Sequence, residues 1–176
     1  FYCPGCGSTR ACGALVAGRL SAAWRFNPLL VAVGVPLLGY AAARAEVAAK
    51  LAVVRKIAAD NPNDVAIALS ADEVTQIVGQ GKVAILLGFL NAYSLGEDVA
   101  GFDWLQKEGV RVAGLTHAGN NAFADSSRPK TGTGEEHGGL SPLGKASVGR
   151  LNDLGVLIDV SQLTPKGVFQ TLELSR

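Results

Sequence analysis

The chain has 176 residues, with sixteen basic and fifteen acidic side chains and a formal charge of +1. That length suits one good core, or a small domain joined to part of a larger one. So even a balance of charge points to no strong electrostatic partner, and nucleic acid is not expected as one.

The even total hides an asymmetry. Residues 1–46 carry Arg10, Arg19, Arg25 and Arg44 against Glu46 alone, a net +3, and the remainder carries a net −2. All three cysteines, Cys3, Cys6 and Cys12, fall in the first dozen residues. An odd, clustered count is not a disulfide framework. The chain begins at Phe1 and contains no methionine, so it reads as a fragment.

Cys3-Pro-Gly-Cys6-Gly sets two thiols at C-x-x-C spacing on a tight turn, because Pro4 presets φ and the glycines relieve steric limits. Such a pair offers at most two ligands, whereas a closed structural zinc site takes four. Metal binding, a redox pair and a purely structural turn stay open for Cys3 and Cys6. Asn27 and Pro28 then read as an N-cap and first helical position. From Leu29 to Ala43 the chain is uncharged and almost wholly apolar. Fifteen helical residues rise ~22 Å, short of the ~30 Å hydrocarbon core, so spanning would recruit both flanks. Membrane association through residues 29–43 is the expectation, with a buried helical hairpin as the alternative. A cleavable signal is excluded, since no basic region precedes the apolar one.

Composition changes near Glu46 without a polar linker, which suggests an abrupt join between a segment 1–46 and a domain 47–176. Residues 43–59 are amphipathic at helical spacing. Asn61 to Asp64 is a turn, Val65 to Leu69 a short apolar strand, and Ser70 with Glu73 a capping box. Val83 to Phe89 predicts a second buried strand. A helix over 98–108 stops at Gly109, and Val110 to Leu115 is a third strand. Ser141-Pro142 opens a helix that ends at Gly155, Val156 to Val160 is a fourth strand, and Thr164-Pro165 opens the last helix. Four such units with doubly apolar strands imply a parallel sheet under helices, about half of an eight-stranded barrel. No Gly-rich phosphate motif opens any helix, so nucleotide binding has no support.

Two resemblances follow from longer words. Cys3 to Gly7, Thr9-Arg10, Ala23-Trp24 and Asn27 to Leu29 resemble a family of small uncharacterised bacterial membrane proteins marked by CPGCG, which brings no known activity. From about residue 47 onward the chain resembles the membrane (renal) dipeptidase family of zinc metallopeptidases. The words are GKVAILLGF (81–89), GVRVAGLTHAGNNAFADSS (109–127), GGLSPLGK (138–145), LNDLGVLIDVSQLT (151–164) and TLELSR (171–176). The resemblance implies a partial (β/α)8 TIM-barrel-like α/β fold of about four β-α units, preceded by an apolar helical hairpin. It also implies a hydrolase acting on dipeptide-like small molecules with two zinc ions.

The family's metal ligands are a His-x-Asp pair, a bridging Glu and two later histidines. Two ions bridged by a carboxylate lower the pKa of water and polarise the scissile carbonyl. None of these ligands has a counterpart here. His117 is followed by Ala-Gly, His137 by Gly-Gly, and the bridging-Glu position falls on Leu90. The next ligand word would lie past Arg176. No zinc is therefore expected on this chain, and whether it is an enzyme stays open. His117 matches a family histidine that contacts substrate and is the candidate substrate-binding residue. Asn120, Asn121 and Asp125 read as loop-shaping groups. His137 with Glu135 and Glu136 reads as a flexible solvated loop, Asp159 and Ser161 as strand-end caps, and Gln162 stands where many relatives have histidine. Half a barrel leaves open sheet edges, so self-association is expected.

Overall fold

The computed structural model describes residues 11–26, 28–92, 98–130 and 133–176. Cys3, Cys6 and the expected cap Asn27 lie outside these residues. The chain divides into two compact units, Phe1–Ala45 and Glu46–Arg176, and each has a hydrophobic core.

In the first unit, residues 11–16 are helical and a turn at Gly18 leads to α1, Leu20–Phe26. Gly18 has φ +69, a left-handed value that favours glycine, and its N–H donates to Leu15 O at 2.9 Å. Ala11, Ala14, Ala23 and Val31 form the small core. A π-helical turn, Leu30–Gly34, runs into α2, Val35–Asp60. Residues 43–59, expected to be helical, lie within α2, and neither glycine nor proline falls between residues 40 and 60 to end it. Leu30–Asp60 is the one helical stretch among the described residues long and apolar enough to cross a membrane, and 6% of its most apolar window is buried.

The second unit repeats strand and helix. Its elements are β1 (Val65–Ile67), α3 (Ala71–Gly79), β2 (Val83–Ile85), β3 (Leu87–Leu90), α4 (Gly101–Lys107), β4 (Val110–Gly114), α5 (Pro142–Asp153), β5 (Leu157–Asp159) and α6 (Pro165–Leu174). The helix starts are local chemistry. Ser70, Ser141 and Thr164 cap them by accepting from the N–H three residues on, at 3.2, 3.0 and 3.3 Å. Glu73 reaches back to the Leu69 N–H at 2.6 Å, one residue beyond the usual partner of a capping box.

All strand pairs are parallel: β1 with β2, and β3 with β4 with β5. The single buried strand expected over Val83 to Phe89 is in fact two. Its first half pairs with β1 and its second half with β4, with the switch at Leu86. Such a stagger is what a closed barrel demands of its strands, since tilted strands share neighbours over only part of their length. Arg111 spans the switch, donating from Nε to Leu69 O at 2.8 Å and from Nη1 to the Gln106 and Val110 carbonyls at 2.9 Å.

The core lies between the strands and their helices. Phe102, Leu105, Leu115, Phe123, Val148 and Leu151 are essentially inaccessible, and burying each stabilises the fold by about 1.5–3 kcal/mol. Phe102 meets Phe123 edge to face, with ring centres 6.1 Å apart. Gly144 lets α5 approach the chain at Phe123, because a Cβ there would stand 2.0 Å from the Phe123 carbonyl oxygen. Arg150 forms a two-armed ion pair with Asp103, tying α5 to α4. The hydrogen bond to Arg150 holds the Asp103 carboxyl below its usual range and raises the guanidinium in turn.

The opposite strand face departs from expectation. Leu86, Leu90 and Leu157 are 45%, 43% and 66% exposed, and Leu86 and Leu157 line a cavity with Ser70, Ala71 and Val74 at the start of α3. Doubly apolar strands led to an expectation of burial on both sides, and these strands are buried on one.

Candidate functional site: the carboxyl ends of the strands

The ends of β3, β4 and β5 lie in register. Leu90 is the partner of Gly114, and Gly114 of Asp159. The Leu90 side chain lies over Gly114: a Cβ there would stand 2.5 Å from Leu90 Cδ1, and 3.7 Å from the Asp159 carbonyl oxygen. Asp159 Oδ1 accepts from the Ser161 N–H at 2.9 Å, so this carboxylate closes its own strand-end turn. The top of the sheet therefore presents an isobutyl group beside Gly114, at the register of Asp159.

Beyond β4 the chain forms a long loop over these ends, organised by two side chains. Asn121 donates from Nδ2 to Leu115 O at 2.8 Å and to Asn91 Oδ1 at 3.1 Å. Its Oδ1 accepts from the N–H groups of Phe123 and Ala124 at 2.9 and 3.2 Å. Asn91 itself has φ 75, a left-handed conformation that asparagine tolerates better than most residues. Asn121 thus joins the ends of two neighbouring strands. Nothing in the local sequence marks Asn91 for this, since the pairing spans thirty residues.

Asp125 is the second organiser, and it is fully buried. Its carboxylate accepts from Glu136 N at 2.7 Å, from His137 N at 3.0 Å and from Gly139 N at 2.9 Å. Its backbone N–H donates to Gly139 O at 2.8 Å, and its carbonyl accepts from Thr164 N at 3.3 Å. Burial pushes the carboxyl up. The three N–H groups and the charge of His137 outweigh that and hold it below its usual value. Asn120 adds a further tie, accepting from Ser126 N and donating to Gly134 O and Glu136 Oε1.

The segment around Glu135, Glu136 and His137 is exposed, as its composition suggests, but its backbone is tied down. Its N–H groups wrap a buried carboxylate, and His137 Nε2 lies 2.8 Å from Asn121 O, so that nitrogen carries the proton. His117 is exposed at the end of β4, where its carbonyl accepts from Ser126 Oγ. The Gln162 carbonyl accepts from Thr116 Oγ1 at 3.1 Å and Ser127 N at 2.9 Å, linking the β4 and β5 ends.

Among the described residues no group of three or more His, Cys, Asp and Glu side chains converges to hold an ion. The carboxylates and His137 near the strand ends already serve the loop. Cys12, the cysteine that is described, is exposed and unbridged.

Asp125 generates a pH-dependent prediction. Its folded pKa lies below the unfolded value, so its stabilisation is fully present above about pH 5. It is lost as pH falls through about 4 and below. Asp125→Asn is expected to cost about 2–3 kcal/mol at pH 7, because an amide presents two donors to three N–H groups. It should also flatten the acid side of the stability curve. Chemical denaturation of both proteins between pH 3 and 8 checks this, and an unchanged midpoint at pH 7 would show that the carboxylate is not the organiser.

Comparison with known proteins agrees with this architecture. The family model for membrane dipeptidase (peptidase family M19) matches residues 24–176. The model of a protein of unknown function (DUF2752) matches residues 1–42. Among curated proteins, dipeptidase tcpJ of Claviceps purpurea is 34% identical over 105 residues, which is 60% of this chain and 24% of that protein. Among solved structures, the probable dipeptidase PvdM from Pseudomonas aeruginosa superposes with a TM-score of 0.72 at 43% identity, covering 78% of this chain and 35% of that one. A metallo peptidase from Rhodobacter sphaeroides, liganded with a phosphinate mimic of the dipeptide L-Ala-D-Ala, gives a TM-score of 0.57 at 25% identity, covering 64% of this chain and 32% of that one. The chain spans only about a quarter to a third of the length of such relatives. With a family model matching residues 24–176 and this superposition, the chain belongs to the membrane dipeptidase family as a partial β/α barrel.

Proposed function

We propose that this chain is a segment of a dipeptidase-like hydrolase that contributes the substrate-facing strand-end loop but does not hold the metal pair or hydrolyse dipeptides alone. The observation that carries the reading is Leu90. It stands at the end of β3 with its side chain over Gly114, at the register of Asp159. An aliphatic group has no lone pair to bridge two ions, and family chemistry depends on that bridge. In the complete relatives a metal supplies the activated water. In this chain the residues left to act on a ligand are positional.

His117 is the residue proposed to face a dipeptide-like ligand. It is exposed at the end of β4, on a backbone pinned by Ser126. From there an imidazole N–H can donate to a carbonyl or carboxylate oxygen. The loop behind it is rigidified by Asn121 and Asp125, so this donor has a fixed origin without any metal.

Zinc content after equilibration with excess zinc and gel filtration, together with hydrolysis of L-Ala-D-Ala, tests the proposal. Substoichiometric zinc and no turnover above buffer are expected. Stoichiometric zinc with turnover that a chelator abolishes would sink it.

A second reading concerns the membrane. Residues 29–43 lie mostly within Leu30–Asp60, whose length and composition suit a bilayer. We infer that this stretch associates with lipid. After expression, the full chain is expected in the membrane fraction and to resist alkaline carbonate. Quantitative recovery in the soluble fraction without detergent would contradict it.

A further inference from the structure

We propose that α1 and the turn before it form a docking surface for an anionic phospholipid bilayer, with Arg19 and Arg25 taking the lipid phosphates and Leu20 and Trp24 entering the layer beneath. The inference deepens the membrane reading of residues 29–43 and rests on it.

Charge is divided unevenly between the two units. Residues 1–45 carry Arg10, Arg19, Arg25 and Arg44 and no acid, and all fifteen acidic side chains fall in residues 46–176. Arg19 and Arg25 are exposed and enter none of the ion pairs found among the described residues. In the second unit Lys50, Arg55, Lys56, Arg150 and Arg176 each hold a carboxylate. The first unit therefore presents cations whose counter-charge must come from a partner.

Apolar side chains stand on the same short element. α1 turns Ala23 into the small core and leaves Leu20 and Trp24 59% and 51% exposed. These two are four residues apart and share one face of the helix, and Ser21 and Arg25 form the stripe beside it. Arg19 stands at the entry to α1, where its carbonyl accepts from Ala23 N at 3.0 Å and its N–H donates to Ala14 O at 2.8 Å. An arginine thus flanks the apolar pair at either end. α1 packs on the π-helical turn, Ala23 and Val31 sharing one core, so this surface adjoins the start of the uncharged run, where Leu29 and Val33 are exposed as well.

This mixture selects lipid among polyanions. A groove for single-stranded nucleic acid lines its cations with stacking aromatics, whereas the exposed apolar groups here are chiefly aliphatic. Aliphatic side chains gain by leaving water for acyl chains, and tryptophan is enriched at the headgroup level of bilayers. A short helix with an apolar face rimmed by arginines lies in that plane. Each arginine near an anionic leaflet favours binding about fivefold.

Partition of the full chain between two vesicle populations tests the proposal. Protein in detergent is diluted into a mixture of sucrose-loaded phosphatidylcholine vesicles and unloaded vesicles containing about one third phosphatidylglycerol, which sedimentation then separates. Roughly tenfold more protein is expected on the anionic vesicles at low salt, with the preference fading as salt is raised. Arg19→Gln/Arg25→Gln should reduce it to about twofold without lowering the total bound, and Arg19→Lys/Arg25→Lys should keep it. Lys145→Gln/Lys166→Gln, which removes two exposed cations from the second unit, should leave it unchanged. Equal partition, an equal loss in the second-unit variant, or release onto added duplex DNA would each overturn the proposal and leave the membrane reading standing. Protein recovered on neither population would overturn both.

Discussion

A carboxylate without solvent must find all of its hydrogen bonds inside the protein, and Asp125 finds them in the backbone. Three N–H groups from residues 136, 137 and 139 converge on it, and its own main chain bonds to Gly139 and Thr164. Those contacts bring together the end of β4, the return of the loop and the start of α6. The neighbouring ties follow from that closure. Leu140 N donates to Gln170 Oε1 at 2.7 Å on α6, and Ser141 then stands where it can cap α5. Breaking one buried acceptor would release three donors at once, which is why this interaction outranks the exposed ion pairs in the same unit.

This scaffold and the family's chemistry are separable here. A two-metal hydrolase needs carboxylates and histidines from several strand ends at one point. The strand ends of this chain are in register, with the Leu90 side chain over Gly114 in the middle of the row and Asp159 engaged by Ser161. The loop beyond β4 keeps its shape through the side chains of Asn120, Asn121 and Asp125, which bond mainly to backbone groups. A fold positions strand ends and loops, and activity depends on the particular groups placed there.

Much of the fold was legible because its determinants are local. Ser70, Ser141-Pro142 and Thr164-Pro165 announce helix starts through hydrogen bonds within three residues, and Gly109 and Gly155 take left-handed conformations where helices stop. Register was not legible. Val83 to Leu90 is one apolar run, and its division at Leu86 depends on which neighbour each half meets, β1 or β4. The exposure of Leu86 and Leu157 was hidden for a related reason, since an apolar run looks the same whether or not something covers its second face.

The site was legible in part. The words GLTHAGNN and HGGLSP located the loop, and the absence of a donor at Leu90 was visible in the residue type itself. The burial of Asp125 was not, because an aspartate in a Gly-rich, charged stretch has the composition of a solvated turn. Its partners lie eleven to fourteen residues away, beyond any local pattern. α2 runs through the change of composition near residue 46, where no glycine or proline is present to end a helix.

A buried carboxylate, Asp125, shapes the strand-end loop through the N–H groups it gathers. Native-state hydrogen exchange at the amides of Glu136, His137 and Gly139 in the zinc-free chain tests it most directly. Protection comparable to that of the β4 amides, unchanged by added zinc, is the predicted result. Exchange at open-loop rates, or protection that arises only once zinc is added, would contradict the account.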